Sequence, residues 1–165
     1  MSLRTDLERV AKPLWRGERV GVKPIETQDE LLYALFFCRL TEEQQALVNP
    51  AGFSIGRAYL YPADNVPCLV YDERNDPVGF IQLAKWLGEG DAYTWSFFIG
   101  TEYQGQGYGK CAARLAVNLL KTANPAMPIK LATEKDNEPA QRLYRSLGFL
   151  LLPETDGDDL VFGLS

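Results

Sequence analysis

The sequence predicts an α/β domain of the α+β kind, built on a mixed and mostly antiparallel central sheet. Three observations carry that expectation. β-type runs follow one another through the middle of the chain with only turn residues between them; a helix-length amphipathic stretch then precedes a further β-type run; and the chain closes in a short hairpin. Tight turns join antiparallel neighbours, whereas two strands linked through a crossover helix lie parallel. The 165 residues, 46% hydrophobic, supply one core and not two, so 1–165 reads as a single domain with 1–18 as a lead-in given no chemistry.

Leu3, Leu7 and Val10 make a short helix of the segment Ser2 to Lys12. Val20, Val22 and Ile25 alternate with polar residues, which predicts a strand over Arg19 to Glu26. Thr27 with Glu30 has the spacing of a capping box, opening a helix that runs through Leu31 to Leu40; Thr41 with Gln44 opens a second that ends by Asn49-Pro50. Ala51 to Pro67, rich in Gly, Pro and Tyr and without a clean period, reads as loop with a short strand near Arg57 to Tyr61. A hairpin follows, Cys68 to Asp72 and Val78 to Trp86, and a turn at Gly88 to Gly90 leads into a strand from Tyr93 to Ile99. Ala112, Leu115, Ala116, Leu119 and Leu120 then line one helix face, which Asn124-Pro125 ends. Pro128 to Thr133 reads as a strand parallel to Tyr93–Ile99, and Asn137 as the N-cap of a last helix whose apolar face is Ala140, Leu143, Tyr144 and Leu147. Gly148 closes that helix, and Asp156-Gly157 turns the final hairpin.

Composition narrows the function. A formal charge of −5 without Lys/Arg clusters argues against nucleic acid and suits a cationic or neutral substrate. Cys38, Cys68 and Cys111 are odd in number and widely spaced, which suggests neither a disulfide framework nor zinc, and makes a reducing cytoplasmic setting the default. No metal is expected. No apolar run approaches a membrane span, and Met1 to Gly21 is too charged for a signal peptide, so no membrane partner is expected either.

The chemistry concentrates at Gln104-Gly105-Gln106-Gly107-Tyr108-Gly109-Lys110, between a buried strand and a helix. Glycines at this density uncover backbone N–H groups that can converge on an anion at the helix's positive end. The dinucleotide motif G-x-G-x-x-G fails at Lys110, and Walker A fails at Gln104 and Cys111. Gln104, Gly107 and Gly109 instead match Q/R-x-x-G-x-G/A, and Asn137, Ala140, Leu143, Tyr144, Gly148 and Phe149 match N-x-x-A-x-x-L-Y-x-x-x-G-F. With these two motifs in this order, the chain resembles the GNAT superfamily of N-acetyltransferases over Cys68 to Leu164. The run Phe97 to Lys110 is most similar to bacterial diamine and spermine/spermidine acetyltransferases.

The resemblance implies helices on both faces of the sheet and a parallel pair splayed apart so that a cofactor can enter. It implies acetyl-CoA as cosubstrate, held by the backbone of Phe98 and Ile99, by the N–H groups of Gln104 through Lys110 and by Asn137. It also implies Tyr144 as the acid that reprotonates the departing thiolate, since a phenol is protonated at neutral pH. The expected reaction is direct acetyl transfer to a primary amine in a ternary complex, with a small amine or polyamine favoured. A protein or peptide acceptor, or a non-catalytic acyl-CoA sensor, stands as the alternative, and a homodimer stays open. The strand Tyr93 to Gly100 carries no carboxylate, so a base has to be sought through water at Glu102, Glu134 or Asp91, with Ser96 and Thr94 as water anchors. Trp95, Phe97, Tyr33, Phe36 and Phe37 could wall the acceptor site or simply form core, and Glu42-Glu43 could attract a polyamine or simply serve the helix dipole.

Overall fold

The computed structural model describes residues 2–165. Its strands are β1 (Gly21–Pro24), β2 (Asn65–Tyr71), β3 (Pro77–Lys85), β4 (Tyr93–Ile99), β5 (Ile129–Thr133), β6 (Leu150–Asp156) and β7 (Asp159–Leu164). The helices are α1 (Leu3–Glu8), α2 (Gln28–Leu32), α3 (Glu42–Gln45), α4 (Ala51–Leu60), α5 (Tyr108–Ala123) and α6 (Glu138–Ser146). One sheet holds all the strands in the order β1-β2-β3-β4-β5-β7-β6. Every pairing is antiparallel except β4 with β5.

That parallel join is the feature that positions the site. Only Tyr93↔Ile129 is in register, and the Tyr93 N–H donates to the Pro128 carbonyl at 2.9 Å. Beyond it β4 and β5 separate, which gives the expected splay.

Strand alternation sends side chains to two faces. On one face Leu3 and Leu7 of α1 and Leu115 and Leu119 of α5 close over Ile81, Leu83, Tyr93 and Trp95. On the other, Ala34, Cys38 and Ala51 cover Leu69, Tyr71, Phe80 and Phe98. Both capping boxes form: Thr27 with Glu30, and Thr41 with Gln44. Asn137 Oδ1 accepts from the Ala140 N–H at 3.2 Å, and Gly148 and Gly157 take the left-handed conformations that end α6 and turn the last hairpin.

The segment expected to be a loop differs. Residues 51–60 form α4, with Pro50 at its N-cap and Ala51, Ser54 and Ala58 buried. Its buried positions hold only small residues, with Ile55 the one larger side chain packed on the core, so little apolar period shows in the sequence, and Gly52 and Gly56 lie on the exposed face. Packing on the sheet overrides the poor helix propensity of those glycines. The expected helix through Leu40 is also interrupted: after Leu32 it widens into a π turn over Tyr33–Phe37, where the Cys38 N–H reaches the Tyr33 carbonyl at 2.9 Å. The second helix is only the short α3.

Candidate active site

The loop between β4 and α5 is an open cradle of amides. Gly105 and Gly107 hold φ of 76° and 87°, which turns successive N–H groups to one side. Among the described residues, the N–H groups of Gly105, Gln106, Gly107, Tyr108, Gly109 and Lys110 find no acceptor, whereas the Gln104 N–H reaches the Thr101 carbonyl at 3.4 Å. The cradle therefore begins one residue later than expected. The Gln104 side chain braces it instead, donating to the Ile99 carbonyl at 2.8 Å and exchanging hydrogen bonds with Gln44.

A clamp from distant sequence fixes the loop. The Arg19 guanidinium donates to the Gln106 carbonyl, lies 4.7 Å from the centre of the Tyr108 ring and pairs with Glu73 at 3.4 Å. The Tyr108 hydroxyl donates to Glu73 at 2.7 Å, and this bond, with Arg19 adding to it, holds the Glu73 carboxyl below its ordinary range. A Cβ at Gly107 would stand 3.1 Å from Arg19 Nη1, so the clamp and the glycine fit each other.

Next to the loop, the gap between β4 and β5 leaves main-chain groups bare. The Gly100 N–H bonds the Val78 carbonyl, and with the register Phe80↔Phe98 this fixes the alternation. Phe98 thus turns its peptide groups to β3, and those of Phe97 and Ile99 face the gap. Of the expected pair, Ile99 lies on the gap edge, its carbonyl taken by the Gln104 side chain at 2.8 Å, and Phe98 does not; Phe97, expected only as part of the aromatic wall, lies on that edge too.

A cavity of about 620 Å³ runs through the gap. Thr94 and Ser96 line it from one face of β4 and Trp95 and Phe97 from the other, so it connects the two sides of the sheet. Gln82 forms part of its floor, Ser54 and Arg57 of α4 one wall, and Thr133, Glu134, Asn137 and Tyr144 the opposite wall. Tyr144 packs its ring on Phe149 and Phe162, and burial pushes its phenol up to about 12. It therefore stays protonated throughout the neutral range.

Residues 30–149 match the model of the Acetyltransferase (GNAT) family. The chain belongs to that family. Its fold is similar to that of a ribosomal-protein-S5-alanine acetyltransferase from Vibrio fischeri, with TM-score 0.65, 17% identity, and coverage of 90% of this chain and 94% of that one. It is similar also to the aminoglycoside acetyltransferase AAC(6')-Ib in complex with coenzyme A, with TM-score 0.69, 16% identity, and coverage of 88% and 94%. A spermidine N-acetyltransferase chimera from Vibrio cholerae and hSSAT gives TM-score 0.64 at 16% identity, with coverage of 88% and 93%. A comparison with curated proteins gives no match. At these identities the likeness is one of fold.

In this GNAT-family chain the base candidates separate. Glu134 lines the cavity, Asp91 is paired with Lys85 at 3.7 Å, and Glu102 sits in the short turn Thr101–Tyr103 before the loop. Asp156 and Asp159, which the sequence did not single out, also line the cavity. Of the expected aromatic wall, Trp95 and Phe97 are in place. Phe36 lines a separate cavity beside Cys38, Tyr33 packs on the second core, and Phe37 is 61% exposed. Glu42 and Glu43 lie in the first turn of α3, away from either cavity. Lys110 is exposed at the start of α5. Among the described residues no group of His, Cys, Asp or Glu is placed to hold a metal ion, and no helix is long and apolar enough to cross a membrane.

Proposed function

We propose that this chain transfers an acetyl group from acetyl-CoA to the primary amine of a small molecule by direct attack in a ternary complex. The observation that carries this reading is the cavity through the β4–β5 gap, with the amide cradle beside it. The bare N–H groups of Gly105 to Lys110 suit a pyrophosphate, and the edge left by Phe97 and by the Ile99 N–H suits the amides of a pantetheine arm. Acetyl-CoA would supply the activated acyl group. The amine enters from the α4 side, so the two substrates meet in the gap without competing for one opening.

Tyr144, which lines the cavity, gives its phenolic proton to the departing sulfur in this reading. Removal of the amine's proton falls to Glu134 through water, with Ser96 and Thr94 as anchors. A cationic amine, polyamines included, is drawn by Glu134, Asp156 and Asp159. The rim residues Leu47 and Phe53, 43% and 56% exposed, favour a peptide amine as second reading.

The test is release of the coenzyme A thiol when the protein is mixed with acetyl-CoA and a panel of amines, with the acetylated amine identified by mass. Amine-dependent release is expected. Tight coenzyme A binding with no turnover for any amine or peptide would instead make the chain a non-catalytic acyl-CoA-binding protein.

A further inference from the structure

Charge is ordered across the acceptor cavity. Arg57 of α4 is half-buried in one wall, and among the described residues it has no ion-pair or hydrogen-bond partner. Lys85, which also lines the cavity, differs: it is paired with Asp91 at 3.7 Å. A guanidinium on a cavity wall with no acid beside it is unmatched, and its planar fork is shaped for a carboxylate or phosphate.

The floor carries a second unfilled group. Gln82 is 3% exposed; its amide nitrogen donates to the Ser54 carbonyl at 2.8 Å and to Asn65 Oδ1 at 3.3 Å, which leaves its Oε1 buried without a partner. A buried acceptor of this kind calls for a donor, and the protein provides none. On the far side, beyond β5, the carboxylates Glu134, Asp156 and Asp159 line the cavity and have no cationic partner among the described residues.

We infer that the acceptor is an amine that also bears an anionic group, with Arg57 holding the anion, Gln82 Oε1 accepting a hydrogen bond from the molecule between, and the amine lying towards Glu134 and Tyr144. The inference rests on the transfer reading above and narrows its substrate. The Gln82–Ser54 bond holds α4 against the β2–β3 side of the sheet, so Arg57 and β5 lie on opposite sides of the splayed β4. The acceptor's two charges therefore sit several bonds apart, as in an ω-amino acid, the side-chain amine of a free basic amino acid or a short peptide. A diamine would set its second ammonium against Arg57.

Three acceptors of one chain length separate the cases: δ-aminovalerate, pentylamine and cadaverine, at saturating acetyl-CoA. The kcat/KM for δ-aminovalerate is expected to exceed that for pentylamine by roughly tenfold or more, the size of one charge-assisted hydrogen bond, with cadaverine lowest. Arg57→Gln removes the preference, Arg57→Lys keeps part of it, and Arg57→Glu reverses it, all with the KM for acetyl-CoA unchanged as the check on folding. Cadaverine equal to or better than δ-aminovalerate, or a preference untouched by Arg57→Gln, overturns the inference. If all three amines are acetylated alike, the anion site alone falls. If coenzyme A binds and no amine of any kind is acetylated, the transfer reading falls with it.

Discussion

Arg19 holds a φ of 64°, a left-handed conformation that a residue with a Cβ keeps only when its surroundings compensate. The compensation comes from the loop and the β2–β3 turn: the Gln106 carbonyl, the Tyr108 ring and Glu73 all meet the guanidinium. Because a carbonyl of the loop is tied back to Arg19, the neighbouring amides are left free for the proposed pyrophosphate. Arg19→Ala is therefore expected to raise the KM for acetyl-CoA roughly tenfold while the KM for the amine stays put; equal KM values for the cosubstrate would show that the loop holds its shape unaided. Tyr144 is the proposed acid at the other end of the site. Burial pushes its phenol up to about 12, so it keeps its proton across the neutral range and no loss of rate there comes from its ionisation. Tyr144→Phe should lower kcat about a hundredfold at saturating substrates, and an unchanged kcat would refute the acid role. The two residues differ in how readable they were. Tyr144 stands in a local pattern with Asn137 and Gly148, whereas Arg19 and Gln106 are 87 residues apart and no spacing joins them.

Among the elements, legibility followed the size of the buried side chains. In α5 the inward residues include Leu115, Leu119 and Leu120 at helical spacing, and the helix was plain from sequence. In α4 the inward residues are Ala51, Ser54 and Ala58, which look the same as any small residues of a loop, and two glycines hid the helix further. The splay depended on the resemblance, because register between β4 and β5 is set by the closed end and not by any residue at the open one. The turning of Phe98 away from the gap follows from hydrogen-bond alternation, which a sequence does not disclose until one pair is known. α4 offers a direct check. A Cβ at Gly56 meets nothing within 4 Å, and the residue lies in a helix interior on the exposed face. Gly56→Ala is expected to stabilise the protein by about 0.5 to 1 kcal/mol, read from chemical denaturation. A loss of stability would mean that residues 51–60 are not helical.

At the scale of the whole molecule, the sheet is two antiparallel blocks, β1 to β4 and β5 with β7 and β6, joined through a single register pair. The gap that holds the cavity thus also opens at the thinnest join of the sheet, and its closed end needs a fastening outside the ladder. Asp6 supplies one. It is 2% exposed on α1, accepts a hydrogen bond from the hydroxyl of Tyr93 at the start of β4, and accepts another from Asn124 Nδ2, just past α5, at 3.1 Å. The Tyr93 bond, more than any other influence, holds the Asp6 carboxyl below its ordinary value, against the opposing effect of burial. A carboxylate with a depressed folded-state pKa stabilises fully above its unfolded value near about 4 and loses that contribution as pH falls through the lower folded value. Asp6→Asn should therefore cost about 2 kcal/mol at neutral pH, the scale of hydrogen bonds to a charged group. The gap in unfolding free energy between wild type and variant should close as pH falls below about 4. A difference that persists undiminished into that acid range would show that shape, and not the carboxylate's charge, holds the seam. Hydrogen exchange locates the effect: in the variant, the amides of Tyr93 and of β5 should lose protection before those of β2 and β3, because the blocks part at their join before either unfolds.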